Sequence, residues 1–405
     1  MDGVDVAVAD LRLRSDQVEL VPLGHAELDY PAELRAALVA ALPPATCTAG
    51  ELCALDTRTG QAFASAASHA VATLADGHAD LVASLGQTIY HWVEDNHCLG
   101  TLQLGQPAWI AEATGLPVVA DLRARDVAAG GHGAPLASTL DALWLRELAE
   151  TSGRPAVGLN IGGIANITVV TPDGPALAYD TGPGNALLDV AAGLVSGGAL
   201  RQDTGGALAR RGQVRTDLLD VLLADDYYPA PPPKSTGKEH FNAEYLRRAL
   251  GRVPEVADAD LLATLVELTA RTIAAECRRH NAGLVVGSGG GMRNPALVAA
   301  LAARLGATPL RTSDELGLPA DAKEAYLTAL LGFLTWAGVP ANQPSATGAA
   351  GPRLLGSITP GARPLRPPEP TTSSVTRLRI VTPDSHTPTT PPATRDAAGG
   401  PSANR

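Results

Sequence analysis

Hydrophobic alternation and helical spacing divide the chain into two similar series of elements. In the first, Val4, Val6 and Val8 alternate behind Asp2-Gly3, which predicts a strand leaving a tight turn. QVELVPLGHAEL (17–28) predicts the next strand, and apolar spacing predicts helices near 32–42 and 60–74. DLVASLGQT (80–88) reads as a buried strand running into Gly86-Gln87-Thr88, PAWIAEATG (107–115) as a helix and PVVADL (117–122) as a strand. The second series opens with AVGLNIGGIANITVV (156–170), a strand, a Gly-Gly turn and a second strand. ALAYDTGPGN (176–185) is a third strand ending in glycines, with a helix from about Ala186. A long helix follows over 258–280, with Leu261, Leu265, Leu268 and Ile273 on one face. GLVVGSGGG (283–291) is a buried strand meeting glycines, NPALVAALAARLG (294–306) a helix opened by Pro295, and ATPLRT (307–312) a short strand.

DLVASLGQT and GLVVGSGGG occupy equivalent places, so one order of elements runs twice. By that template the first series calls for one more strand ahead of Met1. Two α/β units with glycine turns at strand ends predict a ligand cleft beyond the carboxyl ends of those strands. From Pro364 to Arg405 the chain is rich in Pro, Ser and Thr with almost no apolar period, which predicts a disordered tail outside the fold. RLRIV (377–381) is a strand-like stretch within it, without an evident partner.

At 405 residues and 45% hydrophobic content the chain can bury a large core. It has no apolar run long enough to span a bilayer and no basic-then-apolar leader, which points to the cytoplasm. Cys47, Cys53, Cys98 and Cys277 form no CxxC pair and read as free thiols. His91, His97 and Cys98 lie close enough to hold zinc in principle, though scattered polar side chains is the better reading, and no metal-ligating residues are assigned. A net charge of −11 without a basic patch argues against nucleic acid. Lysine occurs only at Lys234, Lys238 and Lys323 among 31 basic residues, so a lysine retained against that bias is a candidate for a specific need.

Five stretches carry candidate chemistry. Gly162-Gly163 in NIGGIAN is either a hairpin tip or a phosphate clamp, since glycine lets backbone approach phosphate oxygens. Gly289, Gly290 and Gly291, between a strand and a helix, make a flat surface for adenine or ribose. Asp180 at a strand end is either a general base or an Asx-turn residue. Arg123, Arg125, Asp126 and His132 sit at the junction of the two series, where arginine can grip a carboxylate or bridge domains. Glu324 stands near the start of a helix, as an acid favoured by the helix dipole would. Gly237-Lys238 in PPPKSTGKEHFN faintly suggests a P-loop, but Glu239 replaces the needed Ser/Thr, Pro232 stands where glycine belongs, and no strand precedes it.

Together, MDGVDVA, SLGQT, DLRARDVAAGGHGAPL, LNIGGIANIT, DTGPGN, PPKSTGKEHFN, GGGMRNP and LPADAKEA, in that order, closely resemble the anhydro-N-acetylmuramic acid kinase family over about residues 1–360. The resemblance implies two ribonuclease H-like (actin-like ATPase) domains with a cleft between them. Residues 1–125 with about 340–363 would form the first, lacking its first strand, and 126–339 the second. It implies a kinase that couples water-driven opening of 1,6-anhydro-N-acetylmuramic acid to 6-phosphorylation, with ATP and Mg²⁺, in cell-wall recycling. Asp180 matches the catalytic base. Asp2, Gly3, Asp5, Gly162, Gly163, Asn166, Gly289, Gly290 and Gly291 match ATP-binding positions. Gln87, Arg123, Arg125 and Glu324 are the sugar-contacting candidates, an arginine suiting the lactyl carboxylate. A small sugar and ATP are the expected partners, and a homodimer is a possible assembly. The departure is at the start: the family's first phosphate motif reads Gly-Thr-Ser-Met-Asp-Gly-Val-Asp, and only its last five residues are present. Met1 is therefore expected to be an internal methionine of that motif, and a chain beginning there to have weak or no activity. The competing readings are a non-catalytic nucleotide or sugar binder of the same fold, and a kinase for another sugar.

Overall fold

The computed structural model describes residues 3–95, 97–369 and 374–381. The first half supplies β1 (Gly3–Arg14), β2 (Gln17–Asp29), β3 (Val82–Ala83), β4 (Gln87–Glu94), β5 (His97–Leu104) and β6 (Val118–Ala120). The second supplies β7 (Ala156–Ile161), β8 (Ile164–Val170), β9 (Leu177–Pro183), β10 (Leu284–Ser288) and β11 (Leu310–Thr312). Two late strands, β12 (Ser357–Thr359) and β13 (Arg377–Ile380), return to the first half.

The second half is one five-stranded sheet in the order β11-β10-β7-β8-β9. β7, β8 and β9 form an antiparallel meander, and β10 and β11 run parallel to β7. This is the ribonuclease H-like arrangement that the family resemblance implies. The Asp258–Arg279 helix covers the sheet, and Leu261, Leu265, Leu268 and Ile273 are all buried along it as the spacing predicts. Burial of such aliphatic side chains contributes about 1.5–3 kcal/mol each.

The first half is split. One sheet runs β1-β2-β13, another β12-β6-β3, and β4-β5 form a separate hairpin. β1 and β3 face each other across a cavity of about 920 Å³ lined by Val6, Val8, Ala67, Val82 and Ala329. By the duplicated order β3 corresponds to β10 and β1 to β8, and between those two strands the second half has β7. The cavity holds the place equivalent to β7. DLVASLGQT accordingly yields a strand of only two residues, because among the described residues β3 pairs with β6 alone.

Two other boundaries differ from expectation. The helix expected from residue 60 begins at Ala49. Its start is a capping box: Glu51 N–H donates to Thr48 Oγ1 (3.2 Å) and Thr48 N–H to the Glu51 carboxylate (2.7 Å). Gly60 is therefore interior to this helix, where an added Cβ would lie 2.7 Å from the Gln106 carbonyl oxygen. The tail also contributes to the fold. Arg377–Ile380 pairs parallel to β2, Leu378 is buried, and Arg377 ion-pairs with Glu150 at 2.9 Å. Alternating apolar residues in RLRIV complete the open edge of β2, a contact no local pattern discloses. The remaining disorder reading falls on 370–373 and 382–405, outside the described residues, as does Asp2.

The cysteines are free thiols, with Cys98 and Cys277 buried. Among the described residues no helix is long and apolar enough to cross a membrane.

The two halves share a core. The Lys323–Trp336 helix packs on β1, β3 and β6 and touches the Ala137–Trp144 helix, which lies against β8. Gly332 lets it close on β3, since a Cβ there would meet that of Ala83 at 2.4 Å. At the junction Lys323 Nζ lies 2.6 Å from Asp141 Oδ1, with both side chains at most 10% exposed. Lys323 Nζ also donates to Ser288 Oγ in β10 (3.4 Å). Removing one partner of a buried pair strands the other charge. Lys323→Met is therefore expected to lower the unfolding free energy in urea by about 3–5 kcal/mol. Adding Asp141→Asn should recover most of that loss, and equal loss in the single and double variants would contradict this account.

Candidate active site

Register places the polar groups of the second half. Asn160 of β7 lies directly opposite Asn166 of β8, and Asn166 opposite Asp180 of β9. Directly opposed residues share a sheet face, so these three form one row. A bulge after Ala165 leaves Thr181 as the extra residue of β9, its hydroxyl donating to the Ala165 carbonyl (3.2 Å). Such bulges re-aim side chains at strand ends.

Asp180 is held on all its backbone and half its side chain. Its N–H donates to the Lys234 carbonyl at 3.0 Å, and its carbonyl accepts from Tyr227 Oη at 2.7 Å. Its Oδ2 accepts from the Thr236 N–H (3.0 Å) and the Ser235 hydroxyl (3.2 Å). Among the described residues Oδ1 has no hydrogen-bond donor. Burial raises the carboxyl's pKa above the usual value, the Thr236 and Ser235 donors oppose that rise, and the charge of Glu239 adds to it. The alternative Asx-turn reading does not describe this carboxylate, whose two donors come from a loop some 55 residues away.

The glycine turns converge beside it. The Gly162 carbonyl accepts from Asn185 N–H, and that of Gly163 from Gly184 and Ala186. The hairpin tip is thereby fastened to the start of the Ala186–Val195 helix. Gly184 cannot carry a Cβ, which would lie 2.4 Å from the Gly162 oxygen. Lys238 lies across Gly163, its Cε 2.5 Å from where a Cβ would be. Gly289 has φ +85°, and Gly289 and Gly291 both press on Ile161 at the end of β7. Gly290 has open space, its nearest neighbour being an Arg293 nitrogen at 3.6 Å. The two turns and Asp180 thus border one strand-end surface.

The first-half candidates gather at a neighbouring mouth. Gly3, Asp5, Gln87 and Glu324 line the cavity between β1 and β3. Burial and then the charges of Glu324 and Asp321 raise the pKa of Asp5, while His25 lowers it. Asp321 in turn ion-pairs with Arg293 of the glycine turn at 2.7 Å, so the mouth and the turn adjoin. The Gln87 amide oxygen accepts from Tyr30 Oη (3.2 Å). Arg123 donates one guanidinium nitrogen to the Gly133 carbonyl (2.7 Å), and its Nε is buried without a partner among the described residues. Among the described residues Arg123 therefore bridges no carboxylate in place. Arg125 is exposed on the short Ala124–Ala128 helix that Arg123 precedes. Asp126 is fully buried and accepts from Gly133 N–H, Asn342 Nδ2 and Thr347 Oγ1, each at 2.8 Å, so it shapes this loop.

Ser235, Thr236 and Tyr227 are the residues that sequence reasoning misses. Ser235 and Thr236 lie in PPKSTGKEHFN, which sequence offers only as a family motif and a failed P-loop, Lys234 stands out there only as a retained lysine, and no spacing signal links any of them to Asp180. The zinc trio is not assembled: His91 Nδ1 bonds Thr101 Oγ1 (3.1 Å), and among the described residues no three potential metal ligands cluster.

A family profile described as anhydro-N-acetylmuramic acid kinase matches residues 1–361. A relative of that name from Streptomyces avermitilis is 55% identical over 377 residues, 93% of this chain and 96% of its own. One from Streptomyces coelicolor is 54% identical over 94% of this chain and 96% of its own, and one from Rhodococcus erythropolis 52% over 90% and 92%. With its strand-end glycine turns and its half-buried carboxylate, the chain belongs to the anhydro-N-acetylmuramic acid kinase family.

Proposed function

We propose that this protein phosphorylates 1,6-anhydro-N-acetylmuramic acid at O6 while water opens the anhydro bridge, and that Asp180 is the base. The observation that carries the reading is the Asp180 carboxylate, fixed through Oδ2 with Oδ1 left to act, beside two glycine turns. Asp180 takes a proton from water as that water attacks the anomeric carbon. The bond from that carbon to O6 breaks, O6 attacks the γ-phosphorus of ATP, and ADP leaves. Products are N-acetylmuramic acid 6-phosphate and ADP, as cell-wall recycling requires.

Charge on the phosphates is met by the Gly162-Gly163 turn, Asn166 and Lys238, and the adenosine end by Gly289, Gly290 and Gly291. Magnesium accompanies ATP and offsets phosphate charge. Asp5, its pKa raised by burial and then by neighbouring acids, has the chemistry to face it. Arg123, with spare buried donors, suits the lactyl carboxylate, while Gln87, Glu324 and the exposed Arg125 suit other polar groups of the sugar. Residues 1–125 with about 340–363 form one side of the cleft and 126–339 the other, with the Lys323–Trp336 helix of the second reaching across to pack on β1, β3 and β6. A cytoplasmic enzyme follows from the need for ATP. A homodimer is the expected assembly, and sedimentation velocity tests it.

Asp180→Asn should lower kcat for sugar-dependent ADP release by roughly 100- to 10,000-fold. Parental turnover in that variant would remove Asp180 from the role. Because the base acts when ionised, kcat should fall towards acid with a midpoint above the ordinary carboxylate range. Ser235→Ala removes a donor that favours the charged form, so this acid limb should move to higher pH; a downward move contradicts the assignment. Gly290→Ala meets open space, so its unfolding free energy should stay within about 0.5 kcal/mol of the parent. Its KM for ATP should nonetheless rise several-fold, and an unchanged KM would place the adenosine elsewhere.

A further inference from the structure

The Lys234 side chain is buried, only 5% exposed. Its ammonium donates to the carbonyls of Tyr227 (3.2 Å) and Tyr228 (2.8 Å) and to Glu276 Oε1 (3.2 Å). It also stands 4.8 Å from the centroid of the Tyr227 ring, a cation–π contact. Three donors of one lysine are thus all used, two on the backbone of one loop and one on the last turn of the Asp258–Arg279 helix.

Glu276 is fixed from other sides. Tyr179 Oη donates to its Oε2 (2.9 Å), and Arg279 Nη1 lies 3.2 Å from the same oxygen. Tyr179 precedes Asp180 in β9, and its hydroxyl also shares a 2.7 Å hydrogen bond with His280 Nε2. Tyr227, Tyr228, Phe241 and Tyr245 pack edge-on and stacked around the loop's base. These aromatic contacts hold where the loop starts and ends. Between them, among the described residues, Lys234 alone ties it to the helix behind β9 through charge.

What the loop delivers is specific. The Lys234 carbonyl accepts the Asp180 N–H, Tyr227 Oη donates to the Asp180 carbonyl, and Ser235 and Thr236 donate to Oδ2. Every hydrogen bond to Asp180 from this loop thus comes from Lys234 itself, from Tyr227, whose carbonyl Lys234 holds, or from the two residues that follow Lys234.

We propose that Lys234 is a positioning residue for the Asp180 carboxylate, clamping the Tyr227–Thr236 segment to Glu276 so that Ser235 and Thr236 hold Oδ2 and leave Oδ1 aimed at the water. This rests on Asp180 being the base. Without the ammonium, the two tyrosine carbonyls and Glu276 lose their shared donor, and the 234–236 turn drifts from Oδ2. Lost donors disfavour the ionised base, and a misplacement near 1 Å costs on the order of 100-fold in rate.

The test is steady-state kinetics of the full chain as Lys234→Met, Glu276→Gln and Asp180→Asn, with pH profiles and thermal melts. Lys234→Met should lose on the order of 100-fold in kcat with KM for ATP little changed, and its acid limb should move to higher pH. Glu276→Gln should shift the limb the same way by less. A role confined to stability would lower the melting temperature and the active fraction without moving the limb, and that result overturns the proposal. A parental kcat and pH profile in Lys234→Met overturns it too. If Lys234→Met does not fold, the limb of Glu276→Gln decides alone: an upward shift supports the clamp and no shift rejects it. Asp180→Asn separates the two ideas. If it keeps turnover the base assignment fails; if it is inactive while Lys234→Met behaves as parent, only the clamp fails.

Discussion

One buried ion pair ties the two halves to the reacting surface. Lys323 Nζ and Asp141 Oδ1 meet at 2.6 Å, away from water, where the Ala137–Trp144 helix, the Lys323–Trp336 helix and β10 come together. Asp141 reaches that point because Gly158 of β7 has no Cβ, which would lie 2.7 Å from the Asp141 carboxyl carbon. Lys323 precedes Glu324 at the cavity mouth, and Ser288 precedes the glycines 289–291. A charge so buried needs its partner in one geometry, so the pair couples the helix of one side to the glycine turn of the other. Apolar residues from both halves close around it, among them Leu20, Val119, Leu140, Val286 and Tyr326.

Around that joint the chemistry depends on backbone approaching backbone. The hairpin tip at Gly162-Gly163 packs on Gly184, and Gly289 and Gly291 pack on Ile161, all closer than any Cβ allows. Elements that abut this tightly leave a flat polar surface with little freedom, which is the condition for electrostatic work on phosphates. Beside it, burial and hydrogen bonding act on Asp180 in opposite directions: desolvation makes it a stronger base, and two donors keep it ionised and aimed. The three lysines of the chain fall at this joint, beside Asp180 and over the Gly162-Gly163 turn. Lys323 and Lys234 each serve a buried acid, where a compact ammonium fits, and Lys238 lies over Gly163.

The element order was largely legible from local pattern, and the candidate site residues were named from motif chemistry. Alternation and spacing placed β7 to β11 and the helix over 258–279, because side-chain period follows backbone geometry. Glycine runs at strand ends marked the turns because only glycine permits their contacts. The 49–60 portion of the second helix escaped because its start is a Thr48–Glu51 capping box rather than an apolar stripe. β13 escaped because a four-residue strand is defined by its partner, the open edge of β2.

What remained for tertiary structure is what depends on distance along the chain. The sequence by itself determined the fold class, the duplicated order, the glycine turns and Asp180, since each is written in neighbouring residues or in motif chemistry. Only the folded chain decided that Ser235 and Thr236 meet Asp180, that Lys234 finds Glu276, and that Lys323 finds Asp141. It also decided that a cavity lies between β1 and β3. Those pairings join residues 42 to 182 positions apart, as the Lys234–Glu276 and Asp141–Lys323 partners do. No local preference encodes them; they exist because burial forces each polar group to find a partner wherever packing brings one.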